Sequence, residues 1–172
     1  MNRLLVLAAF ILLPVSIFAQ SPISATKPEF VTVTMDGTKV DTRALRGKVV
    51  VLNLWFINCP NCLAEIKLLN QLVTEYKDNA DVVFLAPAAS PKNELVKFLA
   101  KNPFSYTVLP DSSIIILSQF GTPDNDGNLS VAFPMHYVLD RDGNVVVKAQ
   151  GVKGIEAVRN ELKRQFVSKT GE

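Results

Sequence analysis

The chain has 172 residues, 48% of them hydrophobic, and a formal net charge of +2 from 18 Lys and Arg against 16 Asp and Glu. That length suits one domain with its own core once a leader is set aside, and its basic residues are scattered rather than gathered into a stripe that would neutralise phosphates, which argues against a nucleic-acid partner. With two cysteines and one histidine, the chain falls short of the four Cys or His ligands that a structural zinc site wants.

Residues 1–19 carry a single positive charge at Arg3, an apolar stretch from Leu4 to Leu13, Pro14, and a small residue, Ala19, ahead of Gln20. This is the layout of a secretory signal peptide cleaved after Ala19. The uncharged run from Leu4 to Ala19 is shorter than the ~18–20 residues that span a bilayer, so removal is favoured over retention as an anchor, and membrane association is expected only if the leader stays. Either way the domain sits in the periplasm or another extracytoplasmic space. Residues 20–29 are expected to be a linker, 30–168 the folded domain and 169–172 a tail.

The elements follow in order. "FVTVTMDGTKVDTR" turns at Asp36-Gly37 as a hairpin. Residues 48–57, "KVVVLNLWFI", are apolar except for Asn53, as in a strand buried on both faces. From Cys62 the rhythm becomes helical, with Ile66, Leu69, Val73 and Tyr76 recurring toward a core and Glu65, Glu75, Lys77 and Asp78 assigned to the wet side. Pro60 suits the first helical position, which puts Cys59 at the helix N-terminus.

Residues 81–87 read as a second parallel strand. A serine-capped helix is expected from Ser90-Pro91 to about Lys101. "SYTVL" (105–109) is extended, and Asp111 or Ser112 opens a short helix over "SIIILSQF". "GTPDNDGNLS" (121–130) is a solvated surface loop. Residues 134–140 and 144–150 flank "DRDGN", a hairpin signal at Asp142-Gly143. Gly154 precedes a last helix burying Ile155, Val158, Leu162 and Phe166. Nothing repeats at a solenoid period, and the alternation describes a three-layer α/β sheet.

The two cysteines, three positions apart in "CPNC", could be a strap, a metal clip or a redox couple. Export favours pairing, but a bridge across so small a loop removes little entropy from the unfolded chain. A metal clip would handle copper(I), with His136 or Met135 as third ligand. The redox reading gives the spacing a cause. The helix N-terminus stabilises a thiolate at Cys59, whose pKa in such motifs falls from ~8.5 toward ~7. Cys62, one turn on and facing the core, can then displace a mixed disulfide.

"ALRGKVVVLNLWFINCPNCLAE" and "FPMHYVLDRDGNVV" together resemble the TlpA/ResA-like group of exported thioredoxin-fold thiol-disulfide oxidoreductases, over roughly Phe30 to Val167. The resemblance implies a thioredoxin-like three-layer fold, its mixed central sheet flanked by helices, with an N-terminal β-hairpin extension. It implies Cys59 and Cys62 as the catalytic pair, a cis bond before Pro134, and a docking surface of Phe133, Pro134 and Trp55. It also implies reduction of disulfides in exported proteins, in cytochrome c maturation or related thiol maintenance. A membrane thiol reductase would donate electrons, and no cofactor is needed.

Departures from the family matter as well. Asn58 stands where relatives carry Trp, leaving Trp55 for the apolar surface, and Lys67 replaces a kinking proline. Phe56 occupies the place of the peroxide-orienting Thr of peroxidases, which argues against that activity. Neither Asn53 nor residues 86–90 offer the buried carboxylate of many relatives, so the Cys62 proton would pass to water, Glu65 or His136. His136, on the same side of its strand as Pro134, is read as a packed histidine without an identifiable partner, at most auxiliary.

Overall fold

A computed structural model describes residues 27–167. The leader 1–19, linker residues 20–26 and the tail 169–172 lie outside the described residues. Within them, β1 (Val31–Val33) and β2 (Lys39–Asp41) make a separate antiparallel pair, turning at Gly37 with φ +89°. This is the expected N-terminal extension. Its two ends are joined through buried Thr42, whose Oγ1 accepts the Phe30 amide at 3.0 Å, and Phe30 seats them on the body, its ring edge to face with that of Phe120.

The main sheet is built on β3 (Val49–Leu54), buried along its whole length as its unbroken apolar run requires. It pairs in parallel with β4 (Val82–Pro87), which pairs in parallel with β5 (Thr107–Leu109). Between β5 and the next main-sheet strand lies a small hairpin of β6 (Thr122–Pro123) and β7 (Leu129–Ser130). On its other side β3 pairs antiparallel with β8 (Met135–Leu139), which pairs antiparallel with β9 (Val145–Gln150). The order β5-β4-β3-β8-β9 makes the sheet mixed.

Strand alternation sorts the core into two layers. Val49, Val51 and Trp55 of the central strand segment, with Val138 of β8, face one cluster; Val50, Leu52 and Leu54, with Met135, Tyr137 and Leu139, face the other. Helices α1 (Pro60–Glu75), α2 (Lys92–Leu99) and α4 (Gly151–Val167) cover the first face through Leu69, Leu72, Leu95, Ile155, Val158 and Leu162. Helix α3 (Ser113–Phe120) covers the second through Ile116 and Phe120.

Several expectations shift. The buried stripe of α1 is Cys62, Glu65, Leu69 and Leu72, with Ile66, Val73 and Tyr76 only partly buried. Glu65 is therefore not on the wet side. Helix α1 runs uninterrupted through Lys67. Helix α2 starts at Lys92 without a side-chain cap, because Ser90 turns inward and its Oγ accepts the Ile57 amide at 3.0 Å. Helix α4 begins at Gly151, so Gly154 lies inside its first turn. There a Cβ would come within 2.7 Å of His136 Cδ2 and 3.1 Å of the Ala149 carbonyl carbon. Residues 122–130 are exposed as expected, but folded into a hairpin.

Candidate active site

Where β3 ends, the chain is held residue by residue. Trp55 bridges in parallel to Ala88, and its carbonyl accepts the Ala89 amide at 3.0 Å. Ser90 takes the amide of Ile57. The Cys59 amide then donates to the Phe56 carbonyl at 3.3 Å, and Pro60, which has no amide to lose, opens α1. Cys59 is the N-cap: its Sγ accepts the Cys62 amide at 3.1 Å. The positive end of the helix is aimed at that sulfur.

Cys59 and Cys62 are joined in a disulfide, Cα to Cα 5.2 Å. Both are nearly covered, at 5% and 3% exposure. The Phe133-Pro134 peptide is cis, as expected. Leu54 pairs with Met135 at the end of the β3–β8 ladder, which carries Phe133 back alongside the segment leading to the cysteines. The Phe56 and Phe133 rings meet there edge to face, centroids 5.2 Å apart.

Trp55 is not on that surface. It is 1% exposed, with ring centroids 5.8 Å from Phe98 and 5.3 Å from Phe104. A strand residue one position beyond β3, on the face covered by α2, has its indole pulled into the core. The aromatic edge of the site is Phe56 and Phe133 instead.

Two further expectations are corrected beneath the disulfide. His136 has partners: its Nε2 lies 3.1 Å from Glu65 Oε2 and its Nδ1 3.3 Å from Asn53 Nδ2. A buried carboxylate is also present. Asn53, Glu65 and His136 are 2%, 2% and 0% exposed. Glu65 follows Cys62 by one helical turn, a spacing that sets side chains about 5–6 Å apart at Cβ. Its place in phase with Cys62, Leu69 and Leu72 is the signal in the sequence, although a charged residue is seldom buried unless paired. Tyr106 adds a buried hydroxyl without a hydrogen-bond partner, its ionisation pushed far up by burial and then by the Glu65 charge.

The third copper(I) ligand expected beside the cysteines is not supplied by His136 or Met135. His136 has both ring nitrogens in hydrogen bonds, and Met135 packs on the opposite face of the sheet from Cys59 and Cys62. Among the described residues no group of three or more His, Cys, Asp or Glu could hold a metal ion.

The redoxin family model matches residues 22–164. The chain belongs to the redoxin family. Within that family it is similar to the thiol-disulfide oxidoreductase ResA of Bacillus thuringiensis subsp. konkukian, 24% identical over 137 residues, covering 80% of this chain and 75% of the relative. Its fold is that of a thioredoxin family protein, a thiol:disulfide interchange protein from Chlorobium tepidum TLS, with TM-score 0.65 and 22% identity over 80% of this chain and 93% of the other. BsSco, a member of the Sco family of cytochrome c oxidase assembly proteins, shares the fold at TM-score 0.60 and 23% identity, covering 84% and 95%. Among the described residues no helix of this redoxin is long and apolar enough to cross a membrane.

Proposed function

We propose that this chain, a thiol-disulfide oxidoreductase of the redoxin family, reduces disulfides of exported proteins in an extracytoplasmic compartment. The observation that carries the reading is the Cys59–Cys62 disulfide at the start of α1, with Cys59 Sγ receiving the first-turn amide of Cys62. An amide that already points at this sulfur would stabilise its thiolate once the bond is opened.

In the reduced chain the Cys59 thiolate attacks one sulfur of the substrate disulfide. A Cys59–substrate bond forms, the substrate S–S bond breaks, and one substrate thiolate leaves. Cys62 then gives up its proton, with Glu65 as the acceptor on the same helix face, and attacks Cys59 Sγ. The Cys59–Cys62 bond forms and the second substrate thiolate departs. Two electrons have moved to the substrate, and a membrane thiol reductase returns them. Phe133 and Pro134 dock the partner's extended backbone, with Phe56 completing the aromatic edge in the place expected of Trp55.

Reduced Cys62→Ser protein mixed with insulin is expected to accumulate a mixed disulfide through Cys59, and Cys59→Ala to form none. Equilibrium with glutathione should place the pair nearer thioredoxin, ~−270 mV, than DsbA, ~−120 mV. No mixed disulfide with Cys62→Ser would remove the exchange chemistry; a DsbA-like potential would reverse its direction.

A further inference from the structure

We propose that Asn53, His136 and Glu65 form a one-way hydrogen-bond chain that fixes the Glu65 carboxylate for its work on Cys62, with His136 a positioning residue and not a proton acceptor. The inference rests on the thiol-exchange reading above. It starts from donor and acceptor bookkeeping. Asn53 presents its Nδ2 to His136 Nδ1, and an amide NH2 group only donates. Nδ1 must then be the bare, accepting nitrogen. The ring proton sits on Nε2 and is donated to Glu65 Oε2 at 3.1 Å. A doubly protonated ring would set an Nδ1–H against an amide N–H.

The chain joins three elements: Asn53 on β3, His136 opposite it on β8, and Glu65 on α1. Helix α4 closes the remaining side with glycines. A Cβ on Gly154 would strike the His136 ring, and one on Gly151 would lie 3.8 Å from Glu65 Oε1. From β9, Ala149 lies opposite His136. The titratable groups near the pair are Cys62 on α1 and Tyr106, whose ionisation burial drives up so strongly that it stays neutral. Buried polar groups of this kind are costly unless fully hydrogen-bonded, so three of them in series across the sheet, beneath the cysteines, ask for a role. With Oε2 held by His136, Glu65 keeps Oε1 for the proton that leaves Cys62. As that S–H bond breaks an O–H bond forms, while Cys62 sulfur bonds to Cys59 and the substrate sulfur leaves.

His136 is the sole histidine of the chain, so protein labelled with 15N-histidine reports it without assignment. The expected spectrum at neutral pH is that of the Nε2–H tautomer, with unprotonated Nδ1. A ring protonated on both nitrogens, or on Nδ1 alone, would overturn the proposal. Kinetics supply the second test, with reduced protein and excess 5,5′-dithiobis(2-nitrobenzoate). The first chromophore released reports attack by Cys59, and the second reports resolution by Cys62. His136→Leu is expected to slow the second release at least about tenfold relative to the first, short of the roughly 10²–10⁴-fold of a group that itself moves the proton, and to change its pH profile. His136→Gln, which keeps a donor for the carboxylate, should recover much of that rate. Glu65→Gln should slow the second release similarly, and the double variant should be no slower than either single one. An unchanged second release, or additive losses, would overturn the proposal. Should His136→Leu fail to fold, the tautomer and His136→Gln decide. If the unaltered protein gave no first release, the exchange reading itself would fall.

Discussion

Tyr106 and Tyr137 show how single buried side chains set the limits of this protein. The Tyr106 hydroxyl is buried without a partner, so Tyr106→Phe, which keeps the ring against Phe84 and Phe104, should raise the melting temperature at neutral pH. An unmade buried hydrogen bond costs about 1–3 kcal/mol. A fall in melting temperature would mean that the hydroxyl is bonded after all. Burial also holds Tyr137 up at about 12. Below the ordinary value near ~10, folded and unfolded chains are both protonated; above it the unfolded chain ionises first, so stability drains as pH rises from about 10 through about 12. Urea unfolding across that window should give a flatter limb for Tyr137→Phe than for the unaltered protein.

At the scale of elements, one turn is used twice. In "DNDGN" and "DRDGN" the leading Asp accepts the amides two and four residues on, at 2.9 and 2.8 Å for Asp124 and 3.0 and 2.8 Å for Asp140. Glycine follows at φ +84° and +76°, a conformation that costs other residues. The second turn is legible as a hairpin because its Asp-Gly is flanked by longer strand-like runs; the first, with the same Asp-Gly, reads as a loop because its strands are two residues each, too short for an alternating pattern. Their consequences differ. Burial works against ionisation of Asp140, but the Asn144 side chain and the turn amides outweigh it and hold the carboxyl below its usual range. Its stabilisation is therefore present above about pH 4 and is lost as pH falls through the lowered value. Asp140→Ala, at the corner joining two main-sheet strands, should cost roughly 1 kcal/mol, with the deficit closing in acid. Asp124→Ala, in the exposed hairpin, should leave the melting temperature where it was. Equal losses would show the small hairpin to be part of the cooperative unit.

For the molecule as a whole, the seat of α4 on the sheet decides the site. Gly154 brings that helix against the His136 ring and Ala149, and Ile155, Val158 and Leu162 lock it there. Gly154→Ala should destabilise by about 1–3 kcal/mol through overpacking, although alanine is the better helix former. It should also perturb the His136 nitrogen resonances. A stabilised Gly154→Ala protein with an unaltered histidine spectrum would show that α4 can yield without disturbing the chain of Asn53, His136 and Glu65.

The strand–helix order, the central strand, the placement of Cys59 at a helix N-terminus and the hairpin after Pro134 could all be read from residues 48–66 and 134–150. Each rests on interactions within a few residues: apolar periodicity, a proline that suits a first helical turn, a glycine that accepts positive φ. The fate of Trp55, the inward turn of Ser90 and the burial of Glu65 could not. Each depends on a partner distant in sequence: Phe98 and Phe104, the Ile57 amide, and His136, 71 residues from Glu65. A carboxylate enters a core only where a donor waits for it. That donor comes from β8, on the sheet face that α1 covers, and only the folded chain brings the two together.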